Sequence, residues 1–147
     1  MKRDREPIAQ GVAVHYQPQR HLLKDRIILV TGASDGIGRE AALTYARYSA
    51  SVILLGRNDD KLRTVAQEIE REGGIPPRWF TLDLLTCTPQ ACQQLAQQIS
   101  MHYPRLDGVL HNAGLLGDIC PMEEQKPEVW QQVMQVNVNG TFMLTQA

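Results

Sequence analysis

The 147-residue sequence contains no apolar run of about eighteen residues, so a membrane-spanning helix is excluded. It also lacks an excess of either charge: 15 Lys and Arg stand against 16 Asp and Glu, for a net charge of -1. A chain built to neutralise nucleic-acid phosphates needs a basic excess, so no nucleic-acid partner is expected. Cysteine is scarce. Cys87, Cys92 and Cys120 are odd in number and lack metal-type spacing, which reads as reduced thiols of a cytosolic protein, two of them packed along a helix, with no metal site. The polar N-terminus lacks the apolar centre of a signal peptide. Residues 1–19 are expected to form a flexible extension, with a folded domain over 20–147.

What the sequence does have is globular composition, 43% apolar and 21% charged, at the length of one domain with a real core. From Arg26 the pattern alternates. Apolar runs at 26–31, 51–55, 78–83 and 107–114 read as buried strands. Between them, 36–50, 58–74 and 88–103 carry helical spacing, and 127–147 reads as a long apolar-faced helix. In the first helix, Ile37, Ala41, Tyr45, Ala42 and Ala46 fall on one face. Asn58 is the expected N-cap of the second helix, with Asp59 and Asp60 as helix-start acids and Gly73 as its end. Strands alternating with helices over short loops predict an α/β fold: a doubly wound parallel sheet with strand order 3-2-1-4. In that order the fourth strand is an unpaired edge, open to a partner.

The first strand runs into "TGASDGIG", where glycine recurs at 32, 36 and 38. Glycine at a strand end permits a tight turn, and at a helix entrance it lets a diphosphate approach the backbone N–H groups. A third glycine allows close packing of helix on strand. Thr31 and Ser34 add hydroxyls that can bond phosphate or brace the turn. The GxxxGxG spacing alone is also compatible with a tight turn that binds nothing.

Further positions narrow the choice. After the second strand, Gly56 stands where an acid usually holds the ribose diol of NAD, and Arg57 follows it. An arginine there can hold a 2′-phosphate, which favours NADP(H) over NAD(H); it can equally be a solvated loop charge. Asp83 can accept from an adenine amino group or cap the end of its strand. The small "NAG" turn at Asn112, Ala113 and Gly114 lets backbone approach a sugar or nicotinamide beside the first strand. Later, "QVNVNG" places poor helix formers inside a helix, which favours a local bulge that frees a backbone carbonyl; a small-residue packing face is the alternative.

Taken in order, "TGASDGIG", "LDL", "NAG" and "VNVNGTF" resemble the short-chain dehydrogenase/reductase family over Arg26 to Ala147, in particular its bacterial, cytoplasmic members. That resemblance implies a Rossmann fold and an NAD(P)(H)-dependent oxidoreductase acting on a small carbonyl or alcohol substrate. It implies that Thr31, Gly32, Ser34, Asp35, Gly36, Ile37 and Gly38 surround the pyrophosphate and adenosine, and that Arg57 and Asn58 meet the 2′-phosphate end. Asp83 and Leu84 would contact adenine, and Asn112, Ala113 and Gly114 the ribose side of the nicotinamide. Asn137 corresponds to the family's catalytic asparagine. His111 replaces an asparagine common in the family and reads as a structural hydrogen bonder. The family's catalytic serine and Tyr-x-x-x-Lys pair are not found: none of Tyr16, Tyr45, Tyr48 and Tyr103 has a lysine four residues later. The expectation is therefore the cofactor-binding half of a longer enzyme, inactive alone and a homodimer or homotetramer when intact. A non-catalytic nucleotide-binding module or sensor is the alternative.

Overall fold

A computed structural model describes residues 18–147; residues 1–17, most of the expected N-terminal extension, lie outside that description. Strands β1 (Ile27–Thr31) and β2 (Ser51–Gly56) form the centre of a parallel four-stranded sheet ordered β3-β2-β1-β4. Its edges are β3 (Arg78–Thr81) and β4 (Gly108–Leu110). The order is the one the sequence pattern predicts. Both edge strands are shorter than expected: β3 stops at Thr81, not Asp83, and β4 covers only 108–110 of the expected 107–114. The pairing of β3 ends where β2 ends, at Gly56↔Thr81, whereas that of β4 stops at Val30↔Leu110, one residue short of the end of β1. Among the described residues no strand lies on the far side of β4, and Val109 on it is 41% exposed.

Side chains alternate across the two central strands and build two cores. On one face Val30, Val52 and Leu54 meet helices α1 (Gly36–Arg47) and α2 (Asp59–Arg71) through Ala42, Leu43, Ala46, Leu62, Val65 and Ile69. On the other, Leu29, Ile53 and Leu55 meet helix α3 (Pro89–Ser100) through Cys92, Leu95 and Ile99. Burying each such aliphatic side chain stabilises the fold by about 1.5–3 kcal/mol. The expected face of α1 is partly wrong. Ile37 is 81% exposed, while Gly38, Ala42, Leu43 and Ala46 are buried, so the packed stripe lies one residue further along. Cys87 is buried in the turn before α3, not on the helix, and Cys92 is on it.

The caps follow sequence. Asn58 accepts from Lys61 N at 3.0 Å to start α2, and Thr88 accepts from Ala91 N at 3.2 Å to start α3. Gly73, at φ +82°, ends α2. At the lower end of the sheet Asp107 ties β4 to β1: its carboxylate accepts from Ile27 N at 2.9 Å and pairs with Arg26 and Arg105.

The final helix is not uniform. Helix α4 (Pro127–Met134) passes through a wider π turn, Gln135–Gly140, into α5 (Thr141–Gln146), whose Leu144 joins the second core. The expected bulge is thus present. Gly140 is buried against Leu84, and Gln135 Nε2 donates to the Leu84 carbonyl at 3.2 Å, so the widened turn is held by the loop after β3.

Candidate functional site

The chain steps from β1 to β2 to β3 in one direction and then returns to place β4 on the opposite side of β1. Such a reversal leaves a crevice beyond the carboxyl ends of the strands, where ligands of open α/β sheets bind. A cavity of about 830 Å³ lies there, at the upper end of the range for ligand sites. Its wall includes Thr31, Gly32, Ser34, Asp35, Arg57, Asn58, Asp83, Leu84, Asn112, Ala113 and Gly114, so the structure gathers these predicted residues from four separate loops. Gly36, Ile37, Gly38 and Asn137 are outside the lining set.

Each glycine of the first turn answers to a different constraint. Gly32 (φ +65°) and Gly36 (φ +53°) occupy the left-handed region, which side chains other than glycine rarely adopt. A Cβ on Gly38 would lie 2.3 Å from the Gly32 carbonyl oxygen, so this position sets how closely α1 approaches β1. A Cβ on Gly36 would meet nothing within 4 Å. Its backbone therefore faces open space at the start of a helix, where the dipole favours an anion, although the Gly36 N–H itself is taken by the Asp35 carboxylate at 2.9 Å. The residues present fit a dinucleotide diphosphate at this corner.

Thr31 lines the cavity, and its hydroxyl is spent on bracing it. Buried to 2% exposure, its hydroxyl donates to Leu110 O at 3.3 Å and accepts from the amides of Asn112 and Ala113, each at 3.0 Å. The Asn112 amide donates to the Thr31 carbonyl at 3.2 Å and the Gly32 carbonyl at 3.4 Å. These bonds lock the "NAG" turn to the glycine corner across the crevice. Asn112 is thereby committed to the scaffold through its Nδ2.

Asp83 accepts from Leu85 N at 3.0 Å, which makes it a turn residue beyond β3, while it still lines the cavity. Gly56 is buried, with Leu62 and Ser34 within 3.3 Å and 3.5 Å of where its Cβ would stand. A side chain at that ribose-side position would press on the end of Leu62 and touch Ser34. Arg57 beside it is exposed and forms no ion pair among the described residues.

Asn137 sits in the π turn and bridges to the other side of the crevice. Its Oδ1 accepts from Leu115 N at 2.8 Å and its Nδ2 donates to Leu115 O at 2.9 Å. His111 pairs with Thr145 Oγ1 at 2.9 Å, and burial pushes its pKa down from the ordinary 6.5. It acts as the structural hydrogen bonder expected.

Lys61, Gln132 and Val136 also line the cavity and were not foreseen. The signal for Lys61 was its place in the first turn of α2, directly after the Asn58 cap and close in sequence to Arg57. Gln132 and Val136 reach the site only through the packing of the last helix, which no local spacing encodes.

Residues 26–147 match the model of the short chain dehydrogenase family. The chain belongs to that family. Over 134 residues it is 75% identical to the oxidoreductase YciK of Escherichia coli strain K12, covering 91% of this chain and 53% of that protein. Among solved structures, a short chain dehydrogenase from Escherichia coli CFT073 complexed with NADPH is 75% identical, with a TM-score of 0.87, covering 88% of this chain and 54% of that one. A short chain dehydrogenase from Pseudomonas syringae is 46% identical with a TM-score of 0.86, over 89% of this chain and 54% of its own. This chain therefore spans about half the length of the relatives it matches. Among the described residues, no helix is long and apolar enough to cross a membrane and no group of side chains is arranged to hold a metal ion.

Proposed function

We propose that this chain supplies the NADP(H)-binding portion of a cytoplasmic oxidoreductase that acts on a small carbonyl or alcohol substrate. One observation carries the reading. The exposed Arg57, which forms no ion pair among the described residues, lines the same cavity as Gly32 and Asp35 at the entrance of α1, and no acid occupies position 56. A guanidinium there matches a 2′-phosphate, and the acid that would select an unphosphorylated ribose is missing. The NADPH complex of the 75% identical relative supports the same choice.

When bound, the nicotinamide cofactor supplies the hydride. The residues of this chain bind and orient it. The α1 entrance takes the diphosphate, Asp83 and Leu84 flank the adenine, and the Thr31-braced turn at Asn112 to Gly114 fixes the nicotinamide ribose. Asn137 holds the segment after that turn. Trp130, Val138 and Phe142, exposed along the last helical stretch, support packing against a second copy in a dimer or tetramer.

The test is titration of the purified chain with NADPH and NADH, followed by nicotinamide fluorescence. NADPH is expected to bind more tightly. Arg57→Ala should weaken NADPH at least about tenfold, in line with about 1.5–3 kcal/mol for hydrogen bonds to a charged group, and leave NADH within about twofold. Equal affinity for both nucleotides in the wild type would sink the reading.

A further inference from the structure

The cavity mouth holds a second cation that the reading above does not use. Lys61 is the third residue of α2, and its Nζ lies 2.7 Å from Asp35 Oδ2, across the gap between the entrances of α1 and α2. Both residues line the same cavity as Arg57. The other Asp35 oxygen accepts from Gly36 N at 2.9 Å, capping α1. The Lys61 hydrogen bond, followed by the Gly36 amide, holds the Asp35 carboxyl below its ordinary pKa of 3.8. An ionised acid that lines the cavity thus stands at the entrance of α1.

That arrangement is unfavourable for an anionic ligand unless the acid is neutralised, and Lys61 neutralises it. The pair is poorly sheltered: the side chains are 56% and 74% exposed, so water competes for both partners and little holds them together. Arg57, four residues earlier, has no such partner among the described residues. A phosphomonoester carries about -1.5 to -2 charges at pH 7 and three strong acceptor oxygens, more than one guanidinium satisfies. It offers a flexible ammonium more than a single exposed carboxylate does.

We propose that Lys61 is a specificity-determining residue for the ribose 2′-phosphate, parked on Asp35 in the free protein and transferred to the phosphate beside Arg57 when the phosphorylated nucleotide binds. The proposal rests on the NADP(H) reading and extends it. Asp35 competes with the ligand for the ammonium, while an unphosphorylated nucleotide leaves the pair intact.

The test is the ratio of NADH to NADPH dissociation constants, because a ratio cancels any effect on the shared diphosphate. It is measured for the wild-type chain, Lys61→Met, Lys61→Arg, Asp35→Asn and the Asp35→Asn/Lys61→Met double variant. Asparagine keeps the α1 cap. Lys61→Met should lower the ratio about tenfold, and Lys61→Arg should restore most of it. Asp35→Asn should raise NADPH affinity at least threefold more than NADH affinity, and that extra gain should vanish in the double variant. A ratio within twofold of wild type in Lys61→Met overturns the role of Lys61. A gain from Asp35→Asn that survives in the double variant overturns the transfer. If the wild type and Arg57→Ala both show no preference, the NADP(H) reading itself falls; if Arg57→Ala loses the preference and Lys61→Met keeps it, only this inference does.

Discussion

Asn137 and Leu115 are joined by two hydrogen bonds running in opposite directions, at 2.8 Å and 2.9 Å, so one side chain completes both backbone groups of one residue. An amide is the side chain that offers a donor and an acceptor together. The pairing binds the π turn to the segment after the "NAG" turn, and so closes one wall of the cavity.

Asn137→Leu removes both bonds. The Leu115 amide should lose hydrogen-exchange protection, and stability should fall by about 1–3 kcal/mol, at net values of about 0.5–1.5 kcal/mol per bond. Urea unfolding and exchange followed by mass spectrometry measure the two effects. Unchanged protection at Leu115 would show that the loop is held by other contacts.

Gly38→Ala and Gly36→Ala should part company. At 38 the new methyl carbon would sit 2.3 Å from the Gly32 carbonyl oxygen, so α1 has to move and stability should drop by about 2 kcal/mol or more. At 36 space is free, and the cost is only the left-handed backbone at φ +53°, about 1–2 kcal/mol. NADPH affinity, however, should suffer in Gly36→Ala despite the milder loss in melting temperature, because the methyl group occupies the open space at the anion site. Calorimetric melting beside nucleotide titration separates the two variants.

Gly140→Ala places a methyl carbon 2.9 Å from Leu84 Cβ and 3.1 Å from the Gln135 carbonyl. Overpacking of this kind costs about 1–3 kcal/mol. The damage should spread to the loop of Asp83 and Leu84, visible as faster amide exchange at residues 82–86. Exchange confined to the last helix would contradict this coupling.

Acid should loosen the lower end of the sheet. The Ile27 amide, with Arg105 and Arg26, holds the Asp107 carboxyl below its ordinary 3.8. A depressed folded-state pKa means that the stabilisation is complete above about pH 4 and is lost as pH falls through the lower, folded value. Asp107→Asn should therefore be less stable than wild type near neutrality, with the gap narrowing below pH 4 in pH-dependent urea unfolding. A constant gap would remove the charge from the explanation.

Much of this was readable in the linear order. The solid apolar runs at 26–31 and 51–55 read as buried strands, and Asn58 and Gly73 announced helix ends with local chemistry that needs no distant partner. "QVNVNG" signalled an irregular helix for the same local reason. Ile37 was misplaced because a first-turn residue has no preceding turn to fix its face, and the buried stripe of α1 was set instead by contact with β1. β3 came out shorter because it ends where β2 stops running beside it.

The sequence by itself determined the parallel α/β order, the bare-backbone corner at Gly32 to Gly38 and the family, since each is written in short-range spacing and residue type. Only the tertiary structure decided that Thr31 and Asn112 face each other, that Asn137 reaches Leu115, and that Lys61 meets Asp35. Those pairs join residues 22 to 81 positions apart, and their geometry comes from where the sheet and its helices converge, which no local pattern records.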